Sequence, residues 1–145
     1  MIIRRAETED ADFMSMVDLE CFSVPWSSDA FRRKIVHNRI AFYVVAEHEE
    51  KIVGYMGFWR IENEAHITNV AVLPEYRRRK VGAKLIEHVM DFAREVGIDA
   101  YTLEVRRSNI AAINLYEGFG FEEEGVRPGY YFDNGEDAII MWKRY

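Results

Sequence analysis

Apolar residues recur along this chain with two different periods. Ile2-Ile3-Arg4 reads as a short opening strand. Behind Asp10, which can cap a helix, Phe13, Met16, Val17 and Leu19 follow at roughly helical spacing, and the helix should end near Phe22. Residues Ser23 to Trp26 form a loop, and Ser27 or Ser28 caps a second helix that carries Phe31, Ile35 and Val36 inward. The period then shortens. Ala41 to Glu47 and Ile52 to Arg60 are β-rich runs divided by the polar stretch His48-Glu49-Glu50-Lys51, the pattern of a hairpin. Ala65 to Leu73 is a further strand, stopped at Pro74. A long amphipathic helix places Val81, Leu85, Val89, Phe92, Ala93 and Val96 on one face before Gly97 ends it. Tyr101 to Val105 is the next strand and Asn109 to Tyr116 a short helix. Phe119 to Val126 and Ala138 to Trp142 close the chain as a pair of strands around a Gly-rich connection.

This order predicts an α/β fold. The strands before and after the long helix can lie parallel through a right-handed crossover, a central β-α-β unit. A length of 145 residues suits one domain, 1–145, with a single core and a single site. No segment is both long and apolar enough to span a bilayer, and the acidic run Glu7-Thr8-Glu9-Asp10 follows Arg5 where a signal peptide would turn apolar. A cytoplasmic protein with no membrane partner is the expectation. Cys21 is the one cysteine, which excludes an internal disulfide and a multi-cysteine zinc site. His37, His48, His66 and His88 show no ligand spacing, so no metal is expected and all four read as structural or surface residues. A net charge of −6 argues against a nucleic-acid partner, with Arg77-Arg78-Arg79-Lys80 as a sharp local exception.

That basic cluster sits between a strand and a helix. Unpaired N–H groups and the dipole at a helix start favour an anion, arginines add charge, and the small Gly82 and Ala83 allow close approach, so a pyrophosphate fits better than a merely solvated turn. The run resembles the acetyl-CoA signature of the GNAT acetyltransferase superfamily, Gln/Arg-x-x-Gly-x-Gly/Ala, with Arg77 first and Gly82 last. Lys80 stands where the signature has its first glycine. Either the backbone there does without positive φ, or the lysine tolerates it at a cost.

A second segment, Leu103-Glu104-Val105-Arg106-Arg107-Ser108-Asn109 with Ala112-Ile113-Asn114-Leu115-Tyr116-Glu117-Gly118, resembles the matching half of the same superfamily. Pro25-Trp26-Ser27, Gly129-Tyr130-Tyr131 and Glu136-Asp137-Ala138 are similar to the RimI-type ribosomal-protein alanine N-acetyltransferases within it. The resemblance implies a mixed, mostly antiparallel sheet flanked by helices, with the central unit binding coenzyme A. It also implies acetyl-CoA as co-substrate and the N-terminal amine of a ribosomal protein as acceptor, with a small-molecule amine acetyltransferase or a non-catalytic coenzyme A-binding domain as alternatives.

Acetyl transfer from a thioester to an amine needs a neutral amine, a stabilised oxyanion and a proton for the departing thiolate. By the resemblance, Glu104 is the general base and Tyr116 the general acid. A carboxylate of ordinary pKa near ~4.3 is weak for an α-ammonium of pKa near ~8 and weaker for a lysine near ~10.4, so a raised pKa or a relay water is expected, and α-amines are favoured. Without the resemblance, Glu104 would read as a strand-end carboxylate paired with Arg106, and Tyr116 as a core aromatic. The resemblance further implies that backbone groups of Val70, Ala71 and Val72 meet the pantetheine arm, with Val70 the oxyanion donor. Arg77, Arg78, Arg79, Lys80, Gly82 and Ala83 then take the pyrophosphate, and Asn109 touches the cofactor. Phe22, Trp26, Tyr130 and Tyr131 are candidates for an aromatic acceptor rim. Cys21 is not needed, because direct transfer uses no acyl-enzyme.

Overall fold

The computed structural model describes residues 1–37 and 41–145, without the side chain of His37, so the surface reading of that histidine lies outside the described residues. Its elements are β1 (Ile2–Arg5), α1 (Ala11–Cys21), α2 (Ser28–His37), β2 (Ala41–His48), β3 (Lys51–Ile61), β4 (Glu64–Val72), α3 (Val81–Glu95), β5 (Ala100–Arg106), α4 (Ile110–Gly118), β6 (Glu122–Tyr131) and β7 (Glu136–Arg144). The strands form one seven-stranded sheet in the order β1-β2-β3-β4-β5-β7-β6. Only β4 and β5 pair in parallel; the other described neighbours are antiparallel. The crossover between them is α3, as the alternation of patterns predicts. Among the described residues, no helix is long and apolar enough to cross a membrane.

Local chemistry accounts for most boundaries. The β2–β3 hairpin turns on Glu49 and Glu50, both at positive φ (52° and 64°), the twist that suits a tight hairpin. In α3 the rows Val81-Leu85-Val89-Ala93 and Ile86-Met90 are buried against the sheet, each large aliphatic contributing about 1.5–3 kcal/mol. Phe92 and Val96, expected on that face, lie at its edge, 37% and 36% exposed. Gly97 at φ 87° ends the helix.

The first two helices correct the reading of their faces. Asp10 does not cap α1. Its carboxylate accepts from both Arg4 guanidinium nitrogens (2.8 and 2.9 Å) and from the Glu7 amide (2.8 Å), closing the turn before the helix. The inward face of α1 is Ala11, Met14, Val17 and Asp18, while Phe13, Met16 and Leu19 point outward. The phase was hidden by Asp18. A buried carboxylate is tolerated there because the Tyr55 hydroxyl and the Trp26 amide both donate to it. In α2, whose start is capped by the Ser27 hydroxyl accepting from the Ala30 amide (3.2 Å), Phe31 is fully buried against Trp26, Tyr43 and Tyr55. Val36, expected inward, is exposed.

Candidate active site

The site begins where the sheet opens. β4 and β5 pair from Glu64↔Ala100 to Ile67↔Leu103 and then part, so Thr68–Val72 meet no further strand on that side among the described residues. The β3–β4 register also shifts there: Gly57 faces Asn69 and Phe58 faces Ile67, which leaves Thr68 as an extra, bulged residue. Backbone groups of alternate residues point to opposite sides of a strand. The Val72 carbonyl accepts from Arg77 Nε (3.1 Å) and from the Cys21 thiol (3.3 Å), so it faces away from β3. Val70 shares that open side, whereas Ala71 turns its backbone toward β3. An extended arm with amide groups would find a strand edge here, and the Asn69 Oδ1 and Thr68 Oγ1 atoms beside it are buried without hydrogen-bond partners.

The phosphate end lies at the start of α3. Lys80 is its N-cap residue and gives the first turn no side-chain hydrogen bond, which leaves the N–H groups of Val81, Gly82 and Ala83 for an anion. Arg78 and Lys80 both adopt left-handed backbone, φ 65° and 63°. The departure from glycine at position 80 therefore has a definite answer: the loop needs positive φ, and the lysine bears it. Turns of this kind gather amides to one side, as an anion requires. The cost of a left-handed L-residue, roughly 1–2 kcal/mol, exceeds the entropic penalty of glycine, about 0.5–1 kcal/mol. Lys80→Gly should therefore raise stability by up to about 1 kcal/mol, while loss of the charge weakens acetyl-CoA binding a few-fold. Thermal denaturation and calorimetry check the two effects, and a destabilised variant would contradict the strain. The other basic residues differ in posture. Arg77 is folded back onto Val72 and Cys21, Arg79 lies over the Tyr76 ring (5.2 Å), and a Cβ added at Gly82 would come within 3.3 Å of a Leu115 methyl on α4.

A cleft of about 840 Å³ runs along the open edge of β4. It is lined by Val70, Glu104, Asn109 and Tyr116 and by the four rim candidates, Phe22, Trp26, Tyr130 and Tyr131. Ala71, Val72, Arg77, Arg78, Arg79, Lys80, Gly82 and Ala83 lie outside its lining, at the strand end and helix start. Asn109 serves α4, its side chain accepting from the Ala112 amide (3.2 Å). Trp26 is half core: its ring meets Phe31 at 5.4 Å and carries Lys34 Nζ at 4.1 Å. Tyr130 and Tyr131 stand edge to face at 5.1 Å, with Arg106 over Tyr131. The rim is tied across the cleft by the Ser23 hydroxyl, which donates to Asp133 (2.9 Å).

Glu104 is not paired with Arg106, which binds Asp133 and Glu136 instead. Its Oε2 is 2.7 Å from His66 Nε2, and its Oε1 is 3.6 Å from Arg127 Nε. The His66 hydrogen bond holds the Glu104 carboxyl below its ordinary value; burial opposes this, and the nearby His66 and Arg127 charges reinforce it. Of the two routes open to so weak a base, this surrounding opposes the raised pKa and favours the relay water. Tyr116, 7% exposed and packed on Phe121, has its phenol pushed well above the usual range by burial and by Tyr131, so it stays protonated. Cys21 is no activated nucleophile, since burial raises its thiol despite the nearby Arg77. His66 was the residue missed: alone in sequence it has no signal, because its partner lies on the next parallel strand. His88 is exposed and His48 packs edge-on to Tyr76, as surface and structural readings have it.

Residues 11–121 match the Acetyltransferase (GNAT) family. The chain belongs to that family. Among GNAT relatives, it is 35% identical over 141 residues to the [Ribosomal protein bS18]-alanine N-acetyltransferase of Escherichia coli K12, covering 96% of this chain and 94% of the relative. It is 38% identical over 123 residues to the N-alpha-acetyltransferase RimI of Mycobacterium tuberculosis, covering 81% and 74% of the two chains. The crystal structure of the ribosomal-protein-S18-alanine N-acetyltransferase from Escherichia coli superposes with a TM-score of 0.89 at 33% identity, over 99% of this chain and 92% of that one. The GNAT assignment makes this an acetyl-CoA-dependent N-acetyltransferase, and the open β4 edge and uncapped α3 start fit that co-substrate.

Proposed function

We propose that this GNAT enzyme acetylates the N-terminal α-amine of a protein, the alanine of the small-subunit ribosomal protein bS18, by direct transfer without an acyl-enzyme. One observation carries the reading: a single cleft brings an ionised carboxylate, Glu104, and a protonated buried phenol, Tyr116, to the open edge of β4. The likeness to bS18-alanine acetyltransferases over nearly the whole chain supports the acceptor. When bound, acetyl-CoA supplies the acetyl group as a thioester. Val70 and Val72 hold its arm by backbone groups, the start of α3 with Arg78, Arg79 and Lys80 takes the pyrophosphate, and Tyr116 gives its phenol proton to the departing sulfur.

Glu104 works on the acceptor. Its negative charge draws in the ammonium, and a water carries the proton away. Moving a proton from an α-ammonium near ~8 onto a carboxylate near ~4.3 costs about 5 kcal/mol, and from a lysine near ~10.4 about 8 kcal/mol. The difference of about 3 kcal/mol is on the order of 10²-fold in favour of α-amines, and a depressed Glu104 leaves it intact. This chain is acidic, net −6, so charge steering assists encounter with a basic N-terminal segment and weakens with salt. A ribosomal acceptor implies a cytoplasmic reaction.

The test uses unmodified bS18 with the purified enzyme and acetyl-CoA. Peptide mapping should find one acetyl group, on the N-terminal alanine. Acetylation confined to lysines, or none while other amines are accepted, would overturn the assignment.

A further inference from the structure

Glu104 is held by a residue that none of the expected chemistry requires. On the sheet face away from α3, His66 of β4 sits opposite Thr102 of β5 in parallel register, and Glu104 follows two residues later on the same face. The strands begin to part just beyond this pair, which lets the imidazole reach across. Its Nε2 lies 2.7 Å from Glu104 Oε2, a charge-assisted length. An ionised carboxylate only accepts, so Nε2 carries the hydrogen and donates. The ring is itself fixed, edge to face with Trp59 at 5.9 Å and 84°, and Trp59 is its partner across the β3–β4 ladder.

We infer that His66 is a positioning residue: it pins one oxygen of Glu104 through the 2.7 Å hydrogen bond, so that the other oxygen is presented toward the acceptor amine. The groups facing Glu104 are few. Arg127 on β6 stands 3.6 Å from Oε1 and is largely exposed, a looser contact than the imidazole. Tyr131 on β6 is close enough for the Glu104 charge to raise its phenol, and Asp18 of α1, in the same cleft, is already bound by Tyr55 and the Trp26 amide. The neighbouring positions on β3 and β7, Trp59 and Ile140, carry no charge. Among the described residues, His66 thus makes the shorter of the two side-chain contacts with the carboxylate. A freely rotating Glu104 would still bind an ammonium but would spend less time in the productive geometry, a loss in kcat and not in cofactor binding.

This inference rests on Glu104 as the group that handles the acceptor's proton, and its test separates the two. In the full chain, His66→Ala should lower kcat for an alanine-initiated peptide on the order of 10-fold, leave KM for acetyl-CoA unchanged, and move the Glu104 titration upward in pH. The upward sign follows because the hydrogen bond and nearby charge that depress the carboxyl are lost while its burial stays. The titration is read by NMR of 13C-carboxyl-labelled glutamate, with Glu104→Gln assigning the signal. His66→Gln keeps an N–H donor and should recover most of the rate with a smaller titration shift, an outcome that loss of fold cannot mimic. Unchanged kcat in a folded His66→Ala variant, or an unmoved Glu104 titration in it, would overturn the role of His66. Should Glu104→Gln prove fully active, the base assignment falls; a titration moved by His66→Ala would still show that His66 sets the charge of Glu104.

Discussion

Replacing Glu104 with glutamine lowers kcat for an α-amine peptide by roughly 10²-fold or more at neutral pH, with acetyl-CoA affinity little changed. Glutamine keeps the size of the side chain and loses the charge that attracts an ammonium. Cofactor affinity is spared because the features that fit acetyl-CoA, the β4 edge and the start of α3, do not involve Glu104. In the unmodified enzyme the rate rises with pH as an amine of pKa near ~8 becomes neutral, not through Glu104, which is ionised across that range. Stability responds with the opposite limb. A carboxyl depressed in the folded state contributes stability above its unfolded value, and that contribution is lost as pH falls through the depressed folded value. Glu104→Gln should therefore lose part of this acid sensitivity, measurable by denaturation at a series of pH values. Wild-type turnover in a folded variant would remove Glu104 from the mechanism.

Tyr116→Phe is the second large effect. Burial keeps the phenol protonated, which suits a group that must give its proton to sulfur as the bond to carbon breaks. Phenylalanine preserves the ring and its contact with Phe121 (5.7 Å between centroids), so the fold should hold and acetyl-CoA binding should change little. We expect kcat to fall on the order of 10²-fold. Single-turnover kinetics check it, since an unchanged rate with chemistry limiting would exclude Tyr116 as the acid.

Much of this was legible from local pattern. The stripe of α3, the polar turn between β2 and β3 and the parallel β4–β5 unit all follow from spacing, because each depends on residues near one another in the chain. Long-range satisfaction was not legible. Asp18 is charged, yet Tyr55, 37 residues on, makes its burial possible and turns the inward face of α1 away from Phe13, Met16 and Leu19. The His66–Glu104 bond spans 38 residues and depends on parallel register and on where two strands part. Neither leaves a trace in periodicity. Lys80 lies between these cases: its place in the motif flagged the backbone question, and only the left-handed φ of 63° answered it.

On the proposed mechanism the cleft selects α-amines of modest basicity presented by a protein N-terminus. A timed mass-spectrometric competition checks this selection by offering the enzyme an alanine-initiated peptide, the same peptide with its N-terminus blocked and a free lysine, and a polyamine. The alanine peptide should be acetylated fastest, by on the order of 10²-fold over the blocked lysine peptide at neutral pH, with the gap narrowing above the α-amine pKa. Faster acetylation of the blocked lysine peptide or the polyamine than of any free N-terminus would contradict the account.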